Sequence, residues 1–143
     1  MAATESGQRT FDLSVVTPEG TAFEGEAQML VVPGADGEIG VLARHAPLVA
    51  MLKAGEIRVR VAGGTVHSFA AGPGYFKVQR DRAIVLVDDA VRAQDIDIEQ
   101  ARREVDEARA LLERAERGEE GIDRWQAEQR LKHAENKVAV AGR

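Results

Sequence analysis

The sequence predicts a mixed fold, an all-β N-terminal sandwich followed by a C-terminal α-helical hairpin, on three observations. Between Phe11 and about Val91, apolar residues alternate on a short period and are interrupted by glycine, the pattern of many short strands closing into a sandwich or barrel. After Asp95 the glycine spacing stops and apolar residues recur three and four apart, the period of a helix. Gly118-Glu119-Glu120-Gly121 splits that second pattern, and so short a break between two amphipathic segments favours an antiparallel pair. Residues 1–9 then form a disordered polar start, 10–92 the sandwich and 93–143 the two-helix unit.

The runs Phe11 to Val16 and Ala27 to Val32 read as strands, bounded by the turn residues Thr17-Pro18-Glu19-Gly20 and Pro33-Gly34. The segment VVPGADGEIGVLARHAPL, residues 31–48, follows. Its glycines Gly34, Gly37 and Gly40 are expected to supply positive backbone angles at turns. In Glu56-Ile57-Arg58-Val59-Arg60-Val61 the apolar and charged residues point to opposite faces, and Gly63-Gly64 leads into Thr65-Val66-His67-Ser68-Phe69, which makes a hairpin. A second hairpin joins Tyr75-Phe76-Lys77-Val78 to Ala83-Ile84-Val85-Leu86-Val87 across Gln79 to Arg82.

In the helical part, Ile98, Ala101, Val105, Ala108, Leu112 and Ala115 form one stripe, and Ala127, Leu131, Ala134, Val138 and Ala141 form another, with Trp125 near its start. Asp97 precedes Gln100 by three residues and Asp123 precedes Gln126 by three, so each aspartate can cap a first turn while the glutamine reaches back. Ile96 with Ala101, and Ile122 with Ala127, hold the flanking apolar positions. Glu99 with Arg103, Glu113 with Arg117 and Glu128 with Lys132 are spaced for ion pairs along the helices. Much of the seam is alanine, which buries about 0.8 kcal/mol of side chain against about 1.5–3 kcal/mol for a leucine. Two postures follow: an arm that can detach, and a tail permanently docked through a tight seam.

A net charge of -5 excludes a protein that works chiefly by neutralising nucleic-acid phosphates, and 4% aromatic residues leave little for stacking bases. No cysteine is present, which removes disulfides and thiolate chemistry and suits a reducing cytoplasm. No window approaches the ~18–20 apolar residues of a membrane span, so direct membrane insertion is not expected. The glycines of 31–48 are not followed by Lys-Ser/Thr and do not form GxGxxG. His45 has no nucleophile or HExxH companion, while His67 and His133 fall in a strand and a helix, so a structural or interface role outweighs a catalytic one. Asp88 and Asp89 are adjacent on a strand and face opposite ways. Trp125 is either a packing anchor or a partner hot spot. Arg124, Arg130, Lys132 and Lys137 give the last helix a basic side.

The segment PGADGEIGVLARHAPLVAMLKAGEIRV, Pro33 to Val59, resembles the signature region of the epsilon subunit of bacterial F-type ATP synthases, with Ala43-Arg44 where Pro-Gly is usual. The resemblance continues through AAGPGYFKVQRDRAIVLVDDAVRAQDIDIEQAR. It implies a non-catalytic rotor subunit without a cofactor, bound to the gamma subunit, resting on the c-subunit ring, and peripheral on the cytoplasmic face of the bacterial inner membrane. By resemblance the position of Glu38 lies towards the ring and that of His45 near gamma. The helical hairpin of the family folds beside the sandwich or extends towards the alpha and beta subunits, where it restrains ATP hydrolysis. Arg124, Arg130, Lys132 and Lys137 are then expected to meet an acidic region of beta. Some members bind ATP through Ile/Leu-Asp-x-x-Arg-Ala. Here Ile96-Asp97-Ile98-Glu99-Gln100-Ala101 puts glutamine at the arginine position, so Asp97 is expected to cap a helix rather than to hold a nucleotide. The alternative on sequence grounds is a free-standing binding sandwich whose helices dimerise.

Overall fold

The computed structural model describes residues 9–142; the polar start read as disordered, apart from Arg9, lies outside them. Ten strands precede two helices: β1 (Phe11–Thr17), β2 (Gly20–Ala27), β3 (Met29–Gly34), β4 (Gly37–Val41), β5 (Leu48–Leu52), β6 (Gly55–Arg60), β7 (Val66–Ala71), β8 (Gly74–Gln79), β9 (Arg82–Val87) and β10 (Ala90–Arg92). They run in the order β10-β7-β6-β3-β5-β8-β9-β1-β2, with β4 paired to β3. Every pairing is antiparallel except that of β1 with β9. The sheet folds over one core in which Leu13, Leu30, Ile57, Phe69, Phe76 and Val85 lose nearly all contact with water.

Period-two alternation explains most of this. Phe11, Leu13 and Val15 point inward from β1, Ile57 and Val59 from β6, and Phe76 and Val78 from β8. Both hairpins read from the sequence form. Gly63 and Gly64 turn β6 into β7 at φ 89° and 87°. The β8–β9 turn is shorter than expected, only Arg80 and Asp81, and holds both at positive φ without glycine.

The glycine expectation for 31–48 needs correction. Gly37 alone of the three has a positive φ, at 140°. Gly34 lies in β3 and is small for a different reason: a Cβ there would stand 2.6 Å from the Gly37 carbonyl oxygen. Gly40 sits in β4 opposite Val31. The segment is thus a tight β3–β4 hairpin followed by a loop, so its punctuation is mostly strand.

Helix α1 (Ile98–Glu116) and helix α2 (Arg124–Val140) form the antiparallel pair. Asp97 and Asp123 accept hydrogen bonds from the backbone N–H of Gln100 and Gln126, each at 3.1 Å. The reciprocal glutamine bonds are not made among the described residues, so each cap is half of the expected box. Ala101, Ala108, Ala127 and Ala134 are buried along the seam. The ion pairs differ from those the spacing suggested. Glu99 meets Arg102 at 3.8 Å and Glu128 meets Arg124 at 3.2 Å, while Glu135–Arg109 (3.5 Å) and Glu104–Lys137 (2.9 Å) cross between the helices. In the last turn of α1 Arg114 donates to both carboxylate oxygens of Glu119, in the connection to α2. That hydrogen bond, together with charge attraction, holds the Glu119 carboxyl below its ordinary range.

The hairpin lies on the body through α2, against β6 and β7. Val140 is buried with Ala70 and Ala93, and Ile96 packs on the same cluster instead of merely guiding the start of α1. The Asn136 amide donates to the Gly55 and Ala71 carbonyls at 3.0 and 3.3 Å.

The close approach of β8 and β9 is tested by Gly74→Ala, whose Cβ would collide with the Leu86 carbonyl oxygen. Overpacking of this kind is expected to cost about 2–3 kcal/mol, read as a lower urea midpoint.

Candidate functional site

Glu38 lies near the start of β4, with its side chain 59% exposed, and its carboxylate reaches the Arg58 guanidinium at 3.4 Å. Arg58 also holds the nearly buried Glu56 at 3.2 Å. His45 sits beyond the other end of β4, half-buried in the loop to β5. Its Nδ1 lies 2.6 Å from the Ala46 carbonyl, and its backbone N–H donates to Leu42. The strand separates the two residues, so they do not form one constellation. Asp88 and Asp89 lie not on a strand but in the connection from β9 to β10, and they still do not converge: Asp88 folds against Gly72, and Asp89 meets His133 Nε2 at 3.0 Å. No group of three or more potential metal ligands occurs among the described residues.

The feature that inspection of motifs missed is a face. Register places Met51 opposite Tyr75, Tyr75 opposite Leu86 and Leu86 opposite Val16. Met51, Tyr75 and Leu86 are 62%, 56% and 47% exposed, and Val49 beside them is 68% exposed. This is a contiguous apolar row across four strands on the outer side of the sandwich. Its signal is present in the sequence: Leu48-Val49-Ala50-Met51-Leu52 and Ala83-Ile84-Val85-Leu86-Val87 are apolar on both faces. A strand with a wet face should alternate with polar residues, so apolar residues on both sides call for a cover on both sides. One end of the row adjoins the Glu38 hairpin, where Val49 and Met51 share a shallow groove with Asp36, Glu38 and Ile39.

The hairpin residues are divided by their partners. Lys137 is largely buried against Glu104, and Arg124 is paired with Glu128 and, at 3.9 Å, Glu116. Arg130 and Lys132 are exposed and make no ion pair among the described residues. The four cations therefore do not present one free basic face while the arm is down. Asp97 serves as a cap, and Gln100 contributes its backbone N–H to that cap. Trp125, 67% exposed, is not a packing anchor; it overhangs a cleft between α2 and the body shared with Asp88, Asp89, Gln129 and His133.

A sandwich with an uncovered apolar face and a helical arm clasped to one side defines a docking subunit, a protein whose chemistry is contact. The profile of the ATP synthase, Delta/Epsilon chain, beta-sandwich domain matches residues 10–93. The ATP synthase epsilon chain of Halalkalibacterium halodurans is 40% identical over 94% of this chain and 98% of its own length. The sodium ion specific ATP synthase epsilon chain of Propionigenium modestum is 33% identical over 92% of this chain and 93% of its own. A chain of the Euglena gracilis mitochondrial ATP synthase, from a structure of OSCP, F1 and the c-ring, shares the fold, with a TM-score of 0.76 at 24% identity over 91% of this chain and 80% of that one. The protein belongs to the ATP synthase delta/epsilon chain family and is a non-catalytic stalk subunit of the synthase. The dimerising-module alternative is not favoured, since the alanine seam is already used inside the chain.

Asn136→Ala removes both amide bonds that tie the arm to the body. Net hydrogen bonds of this kind contribute about 0.5–1.5 kcal/mol each. Amide exchange across 124–140 is expected to quicken roughly tenfold or more, with exchange in the sandwich strands unchanged.

Proposed function

We propose that the sandwich, residues 10–92, clamps this chain to the gamma subunit of the rotor through the Met51–Tyr75–Leu86 row, with the Glu38 hairpin turned to the c-subunit ring. The observation that carries this reading is the exposed row itself. These side chains are already about half-buried, so covering the rest of each is worth about 1 kcal/mol, and the row contributes as a contiguous anchor. His45, beyond the far end of β4, stands at the margin of that contact. The complex couples ion flow through the ring to ATP synthesis, and this chain carries the mechanical connection. Its place is peripheral, on the cytoplasmic face of the bacterial inner membrane; among the described residues no helix is long and apolar enough to cross a membrane.

Residues 93–143 act as a regulatory arm in this reading. Folded, the arm is held by a small apolar cluster, the Asn136 clamp and the His133–Asp89 contact. Extended along gamma, it exchanges the Glu104 and Glu116 partners of Lys137 and Arg124 for acidic groups on beta, and it adds Arg130 and Lys132. That posture restrains ATP hydrolysis. The folded arm is poorly built for strong ATP binding. Gln100 offers no cationic fork to a phosphate, and the Asp97 carboxylate is already engaged as a cap.

Two measurements check this reading. Tyr75→Ser with Leu86→Ser is expected to weaken binding to purified gamma by about 100-fold, consistent with loss of a central apolar anchor; unchanged affinity would sink the docking face. Truncation after Val91 is expected to raise ATP hydrolysis by the reassembled enzyme while leaving the sandwich bound, and equal hydrolysis rates would refute regulation by the arm.

A further inference from the structure

Three non-glycine residues among those described hold left-handed backbone angles: Arg44 at φ 66°, Arg80 at 53° and Asp81 at 57°. All three meet at one corner. Arg80 and Asp81 are the β8–β9 turn, and the Arg44 backbone N–H donates to the Asp81 carboxylate. A branched or long side chain in this conformation crowds its own carbonyl, and such strain gathers where a backbone must present particular groups. A glycine at position 44 would adopt the same angle freely. What arginine adds there is a cation.

The corner bears four exposed cations. Lys77, Arg80 and Arg82 line a shallow groove with Gln79 and Ile84, and Arg44 is fastened to its rim through Asp81. Among the described residues none of the four makes an ion pair, in a chain whose net charge is -5. Register also puts the groove on the docking face. Val49, Lys77 and Ile84 form the cross-strand row next to Met51, Tyr75 and Leu86, and Gln79 with Arg82 forms the row after it. Acidic groups share this face but lie to one side. Asp12 stands opposite Arg82 on β1, and Glu24 and Glu26 follow on β2, where Glu26 accepts a hydrogen bond from Thr10. The surface therefore grades from apolar to cationic along β8 and β9, with carboxylates on β1 and β2 to one side, Asp36 and Glu38 at the apolar end, and Asp81 within the corner itself, engaged by the Arg44 backbone N–H.

We infer that the Arg44–Lys77–Arg80–Arg82 corner receives an acidic segment of the same shaft subunit that covers the apolar row. The inference rests on the docking reading above, and it follows from continuity with that face and from charge complementarity. Exposed charges of this kind act chiefly through the rate of encounter and the orientation of approach, most strongly at low salt. The apolar row holds the partner, while the corner selects how it approaches.

The test uses the full-length chain and purified gamma, with association followed by stopped flow at low and high salt. The triple variant Arg44→Gly, Lys77→Gln, Arg82→Gln is expected to associate about tenfold more slowly at low salt, with a flattened salt dependence and a nearly unchanged dissociation rate. Arg44→Gly alone relieves a left-handed arginine, so its Tm should not fall, which separates lost charge from lost folding. Leu86→Ser should instead speed dissociation. Wild-type association and salt dependence in the triple variant, with Leu86→Ser still defective, would overturn the corner and leave the docking face standing. If neither variant alters binding, both readings fall. Vesicles of phosphatidylglycerol and phosphatidylcholine supply the remaining arm. Vesicle binding lost in the triple variant, with gamma association unchanged, would assign the corner to lipid and overturn the proposal.

Discussion

The parallel pairing of β1 with β9 is the constraint on which the rest of the molecule depends. It joins Asp12–Val16 to Arg82–Leu86, segments some seventy residues apart, and parallel pairs of this kind need long connections and cover on their faces. Here the connection is the whole of β2 to β8. Once β1 is seated, Leu13 and Val15 fill the interior beside Val85, and Val16 extends the outer row begun by Met51, Tyr75 and Leu86. The core and the exposed apolar row are two sides of the same register. A slip of one residue would exchange them.

Body and arm are held by forces of different size. The sandwich buries Phe69, Phe76, Leu13, Leu30 and Ile57 almost completely. Among the described residues the arm packs Ala93, Ile96 and Val140 around Ala70 of the body, supplemented by polar contacts from Asn136 and His133. Within the arm the seam is alanine, with Lys137–Glu104 and Arg109–Glu135 across it. Local capping by Asp97 and Asp123 keeps the helices intact on their own account. A stiff arm on a weak latch can change place without unfolding, because the energies that shape it are not the energies that dock it.

Much of this was legible from residue order, and the limits have physical causes. Hairpins β6–β7 and β8–β9 announced themselves by alternation and turn residues, and both caps by an aspartate three places before a glutamine. Strand β2 was not legible, because Gly20-Thr21-Ala22-Phe23-Glu24-Gly25-Glu26-Ala27 has no clean alternation and is an edge held mainly by β1. Gly34 misled because glycine serves close approach as well as positive φ, while Gly40 has neither, and nothing in the structure explains a glycine there. Along the helices Glu99 and Glu128 pair with a different cation one turn away, Arg102 and Arg124, because each has more than one neighbour within reach, and the pairs across the helices join residues that spacing within one helix does not relate. As for the site, Glu38 and His45 were visible as single residues. The apolar row was not, for it exists only when four strands are laid side by side.

The edge strand β2 carries a further consequence. Before assembly, a chain with an uncovered apolar face risks adding copies of itself, and an unpaired strand edge offers the ladder on which such growth proceeds. Glu24 and Glu26 stand on that margin, with Gly25 between them at φ 155°. Two copies brought edge to edge would set these carboxylates against each other. That repulsion disfavours growth of the sheet through this edge and leaves the exposed apolar row unaffected.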